Sequence, residues 1–103
     1  WAKQNDIKLQ EIPPNCKSSY HIFYILVSSS GKREKLINHL KKSGIEASFH
    51  YTPLHTSLMG RKFGYKKGDL PVTEEISEKI LRLPIYNDLK YNLIDFRCFY
   101  DFK

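Results

Sequence analysis

With 103 residues, the chain can form one domain with its own core but is too short for two of ordinary size. Apolar residues make up 41% and aromatics 14%, which excludes an intrinsically disordered chain. Seventeen Lys and Arg against 11 Asp and Glu leave a net charge of +6, which favours an anionic partner.

The basic residues come as separated pairs, Lys32-Arg33, Lys41-Lys42, Arg61-Lys62 and Lys66-Lys67, and not as one basic arm. A solvated surface explains each pair, so nucleic acid is a disfavoured partner. Cys16 and Cys98 have no metal-like spacing, and nothing resembles a signal peptide. No run approaches the roughly 18 apolar residues that cross a membrane. The expectation is a cytoplasmic protein with reduced thiols and no membrane contact.

Residues 1–16 carry little periodicity and end in Pro13-Pro14-Asn15, which reads as an extended connector. A chain that opens on Trp1 without a Met is expected to be a piece of something longer, entering a small domain over residues 17–103. Residues 20–27, Tyr-His-Ile-Phe-Tyr-Ile-Leu-Val, are aromatic and β-branched and nearly continuous in apolarity, which predicts a central strand. Ser30 is the expected N-cap of a helix over residues 32–43, with Leu36, Ile37 and Leu40 on one face and Gly44 as its stop.

Residues 45–51 alternate in the period of a half-buried strand, Ile45, Ala47, Phe49 and Tyr51 against Glu46, Ser48 and His50. From Leu54 to Val72 no periodicity persists, which predicts a long ordered loop that either binds something or is a flap pinned by Phe63 and Tyr65. Thr73 is the expected N-cap of a short helix over residues 74–81, whose Glu74 and Glu75 suit the positive end of the helix dipole. Residues 82–86 form a brief edge strand limited by Pro84, and residues 91–102 a final amphipathic helix. The layout is an α+β fold, a small sheet covered by helices.

The densest chemistry lies in Phe49-His50-Tyr51-Thr52-Pro53-Leu54-His55. Pro53 stiffens the chain into an extended turn. Two readings stay open for the stretch: half-core aromatics beside ordinary surface histidines, or a recognition surface in which His50, Tyr51 and His55 offer hydrogen bonds and ring faces to a sugar or a nucleotide. No phosphate loop, dinucleotide fingerprint or nucleophile triad is present. The spacing of His50 and His55 does not make a helical zinc pair, so neither catalytic nor metal residues are assigned.

These pieces occur in a familiar order: Tyr20-His21-Ile22-Phe23-Tyr24-Ile25, Leu36-Ile37, Leu40-Lys41, Gly44-Ile45, Phe49 to His55, Gly60, Phe63-Gly64, Thr73-Glu74 and Leu81-Arg82-Leu83-Pro84. In that order the chain resembles the C-terminal small domain of the DegT/DnrJ/StrS sugar aminotransferases, from about Ile7 to Tyr86. The short form of residues 49–55 is similar to that of the TDP-4-keto-6-deoxy-D-glucose transaminases of bacterial surface-polysaccharide synthesis. The resemblance implies the small domain of a fold type I enzyme dependent on pyridoxal phosphate, which moves an amino group onto a keto-sugar carried by a nucleoside diphosphate. It also implies a large domain, outside this chain, that holds the cofactor and its lysine, and a homodimer for the full-length enzyme. His50, Tyr51 and His55 carry over as substrate-side residues, the chain alone binds no cofactor, and alone it does not transaminate. A freestanding module for an anionic sugar or nucleotide, or less favourably a small basic nucleic-acid-binding protein, is the alternative.

Overall fold

The computed structural model describes residues 1–90 and 97–102. Its centre is strand β2, Phe23–Leu26, flanked by β1, Lys8–Leu9, and β3, Ile80–Leu83, in the order β1-β2-β3. Both pairings are antiparallel, with Ile25 opposite Leu9 on one side and opposite Leu81 on the other. The central strand expected over residues 20–27 is therefore present in a shorter form. Residues 1–16 do more than approach it, since they supply β1 and the buried Ile7.

Helix α1, Ser30–Lys42, buries Leu36 and Leu40 completely on the sheet. The expected cap is displaced by one residue: Ser29 is the last extended residue, and its hydroxyl accepts from the Lys32 amide at 3.2 Å. The cause lies upstream, where the Val27 amide donates to Lys79 O at 3.0 Å and holds the strand end in place. Gly44 ends the helix at φ +75°, in the left-handed region that glycine enters at little cost.

The strand expected over residues 45–51 shrinks to one bridge between Ser48 and Arg82. Ile45 and Ala47 are buried as the alternation requires, but Phe49 is 48% and Tyr51 64% exposed. Ser48 N donates to Arg82 O at 3.1 Å, and Arg82 N returns a bond to Ser48 O at 2.7 Å. Extending that ladder would pair Glu46 with Pro84 and His50 with Ile80. Pro84 has no amide hydrogen, and the Ile80 amide already donates to Ile76 O. Donors are missing at both ends, so the ladder stops.

The expected loop from Leu54 to Val72 contains a 3-10 turn, Leu54–Thr56, and a short helix α2, Leu58–Lys62, capped by Ser57. Helix α3, Pro71–Lys79, begins at Pro71 and not at Thr73, because a proline's fixed φ and absent donor suit the first helical turn. It also ends before Leu81, which lies fully buried in β3. Of the final helix, α4 covers Arg97–Asp101; Leu93 and Phe96, expected on its apolar face, lie outside the described residues.

One core unites these elements: Ile25 and Val27 from the central strand, Leu36 and Leu40 from α1, Leu81 from β3, and Cys98 and Phe102 from the C-terminal segment. Trp1 closes one side, its ring edge against Phe99 at 5.0 Å between centroids. No described helix is long and apolar enough to cross a membrane.

Candidate functional site

Residues 49–55 leave the Ser48 bridge and border a groove shared with Val72 and Ile76 of α3, then lead into a strap, residues 54–70, that carries the 3-10 turn and α2. His50 is half-buried, with Nδ1 3.5 Å from Arg82 Nη1. Its ring lies 4.1 Å from that of Tyr51, tilted by 32°, and the peptide between the two residues is cis. Together they line a shallow groove of about 450 Å³ with Pro53, Val72 and Ile76. The Tyr51 ring is therefore open at the surface, and the half-buried His50 ring borders the same groove.

His55 is placed differently. It is 6% exposed, and its Nε2 lies 2.9 Å from Glu74 Oε1. That same oxygen accepts from the Gly68 amide at 2.6 Å. Glu74 thus ties the first turn of the strap to its last, a clamp from His55 to Gly68. The hydrogen bond from His55, followed by that from the Gly68 amide, holds the Glu74 carboxyl below its ordinary value. The helix dipole had sufficed to explain Glu74 in sequence, and no local signal marks a partner 19 residues away. The pinning of the strap is polar: Phe63 and Tyr65, the anchors in one of the two readings of this loop, are 76% and 50% exposed.

Beside the strap opens a larger cleft of about 710 Å³. Arg33 enters it from α1, Arg61 from α2, and Lys66 and Lys67 from the turn that follows, with Tyr51 and Tyr65 among them. Arg33 is fixed in direction: Nη1 donates to Ser77 O at 2.6 Å, Nη2 to Glu34 at 3.1 Å, and its guanidinium carbon lies 5.6 Å from the centre of the Phe49 ring. Its Nε is buried without a partner. As half of the pair Lys32-Arg33 it had read as solvated surface; only the fold turns it towards Phe49.

Among the described residues, no group of three His, Cys, Asp or Glu is arranged to hold a metal ion. Every described lysine is exposed or half-exposed, Lys32 donating to Asn5 O and Lys79 to Glu75. A covalent anchor for pyridoxal phosphate needs a sheltered lysine amine, and these do not fit that role.

The profile of the DegT/DnrJ/EryC1/StrS aminotransferase family matches residues 2–95. Uncharacterized protein MJ1066 of Methanocaldococcus jannaschii is 40% identical over 79 residues, which cover 73% of this chain and 20% of that protein. The dTDP-3-amino-3,4,6-trideoxy-alpha-D-glucose transaminase of Micromonospora megalomicea subsp. nigra is 32% identical over 88 residues, covering 82% of this chain and 23% of the enzyme. In three dimensions the chain superposes on S. venezuelae DesV, solved in complex with a ketimine intermediate, with a TM-score of 0.76 at 28% identity over 85% of this chain and 23% of that one. The chain spans about a fifth to a quarter of the length of these relatives. Aminotransferases of this family use pyridoxal phosphate. The match over residues 2–95, the agreement of the sheet and helices, and the order of the motifs converge on one assignment: this chain belongs to the DegT/DnrJ/EryC1/StrS aminotransferase family.

Proposed function

We propose that the chain is the substrate-side small domain of a sugar-nucleotide aminotransferase, entered through residues 1–16 from a large domain that carries pyridoxal phosphate and its lysine. The substrate is a keto-sugar on a nucleoside diphosphate, of the TDP-4-keto-6-deoxy-D-glucose type, in the synthesis of bacterial surface polysaccharide. Family membership supports the reaction class. The observation that carries the role of this domain is the pairing of the half-buried His50 ring with the exposed Tyr51 ring along one shallow groove.

When bound, pyridoxal phosphate supplies the electron sink for amino transfer. The residues of this chain supply orientation. His50 and Tyr51 offer a ring nitrogen and a phenol to sugar hydroxyls, and His55, held by Glu74, sets the course of the strap on which they border. Holding the keto carbon in one pose removes translational and rotational freedom that a free encounter would have to lose. The full-length enzyme is a cytoplasmic homodimer in this reading, and the chain alone binds no cofactor and does not transaminate.

The test is amino transfer by the full-length polypeptide from glutamate to TDP-4-keto-6-deoxy-D-glucose, followed by mass spectrometry of the sugar nucleotide. Activity that falls at least tenfold in Tyr51→Ala and His50→Ala, with the melting temperature unchanged, is expected. Wild-type activity in both variants would remove the substrate-side role, and a polypeptide no larger than 12.2 kDa in its source would favour a freestanding binding module.

A further inference from the structure

We propose that the cleft between the strap and α1 binds the diphosphate of a nucleotide, with Arg33 on one wall and Arg61, Lys66 and Lys67 on the other, the strap wall being held in register by Glu74. The identity of the ligand as a sugar nucleotide rests on the reading above; the anion site itself rests on the charge and shape of the cleft.

The charges are unbalanced and come from separate elements. Four cationic side chains line the cleft against two carboxylates, Glu74 and Glu78, and Arg33 has a third carboxylate, Glu34, as its ion-pair partner, which leaves Arg61, Lys66 and Lys67 as the main excess. Glu74 is already engaged by His55 and the Gly68 amide. Like charges facing one another across a cleft repel, and an anion lying between them removes that repulsion and adds attraction. A group with charge at two phosphorus centres can reach both walls at once.

Preparation favours the same ligand. Arg33 is oriented beforehand by Ser77 O and by Phe49, so less side-chain freedom is lost when its guanidinium meets a phosphate. The exposed rings of Tyr51 and Tyr65 offer faces to a base or a sugar beyond the phosphates. At about 710 Å³ the cleft is of the size that encloses ligands of this class, roughly 300 to 1,000 Å³. Lys41 and Lys42 give the contrast: equally basic in sequence, they stand exposed at the end of α1, where Lys41 borders a groove whose lining includes Glu46 and no second cation.

The test is an amide-resolved NMR titration of the protein with thymidine diphosphate, inorganic pyrophosphate and thymidine. Both phosphate probes are expected to move the amides of Arg61, Lys66, Lys67 and Gly68 at concentrations that leave Lys41 and Lys42 in place. Joint replacement Lys66→Ala with Lys67→Ala is expected to weaken pyrophosphate binding at least tenfold. An equal response at Lys41 and Lys42, no response to pyrophosphate, or unchanged affinity in the double variant would overturn the site. Thymidine moving His50 and Tyr51 while pyrophosphate moves nothing on the strap would overturn the site yet leave the sugar-nucleotide reading standing. Pyrophosphate binding on the strap with no response to thymidine would do the reverse.

The clamp has its own readout, one of sign. Glu74→Ala removes a negative charge from a cationic cleft, so electrostatics alone would tighten pyrophosphate binding; loss of the clamp is expected to weaken it. Glu74→Gln keeps an acceptor oxygen for His55 and Gly68, and is expected to bind as well as wild type or better. Tighter binding by Glu74→Ala would overturn the positioning role.

Discussion

His55 Nε2 and Glu74 Oε1 meet at 2.9 Å beneath the strap, and because Gly68 N donates to the same oxygen, one carboxylate holds both ends of the segment. Residues that act through one shared contact do not have additive effects. His55→Ala and Glu74→Ala are each expected to lower the melting temperature, and the double variant to melt close to the worse single one. Hydrogen exchange checks the location: Gly68 should lose protection in all three. Additive losses would mean that the two residues work separately.

The clamp also has a pH dependence of definite sign. Folding lowers the Glu74 carboxyl, chiefly through the His55 hydrogen bond, so the folded state binds fewer protons than the unfolded chain in the carboxylate range. The contribution is therefore complete above the ordinary carboxylate value and is lost as pH falls through the lowered one. Glu75 behaves in the same direction because of Lys79. Melting temperature against pH should fall on the acid side, and Glu74→Gln and Glu75→Gln should each remove part of that fall. An acid limb identical to wild type in Glu74→Gln would contradict the assignment.

Two glycines in short sequence contexts should respond oppositely. A Cβ on Gly60 would stand 2.4 Å from both His55 O and Leu54 O, whereas one on Gly31 meets nothing within 4 Å. Gly60→Ala is expected to cost about 1–3 kcal/mol by forcing the strap's backbone apart. Gly31→Ala, within α1, is expected to stabilise by about 0.4–1 kcal/mol through a less flexible unfolded chain. Urea denaturation measures both.

Leu36 and Leu40 are wholly buried between α1 and the sheet. Truncation of either to Ala removes apolar contacts and leaves a cavity, with an expected loss of about 2–5 kcal/mol. Since domains of this size are stable by roughly 5–15 kcal/mol, either variant should unfold at markedly lower denaturant. Ile76→Ala, at a position 37% exposed on α3, is expected to cost far less.

Local pattern sufficed where one short stretch contained its own reasons. The apolar run around Ile25 predicts the central strand, the spacing of Leu36 and Leu40 with Gly44 behind them predicts α1, and the motif order predicts the family. Residues 49–55 stand out in sequence by residue type alone, and local pattern does not separate ordinary aromatics and surface histidines from a recognition surface. Prediction failed where a distant group competed for the same atoms. Whether residues 45–51 form a strand depends on donors at positions 80 and 84, one taken by Ile76 O and the other absent in proline. The direction of Arg33 depends on Ser77 and Phe49, and the burial of His55 on Glu74. Periodicity reports which face of an element is apolar, but hydrogen-bond donors and acceptors are allotted across the whole fold. The cleft, the clamp and the length of the last strand pairing therefore emerged only when the chain had closed on itself.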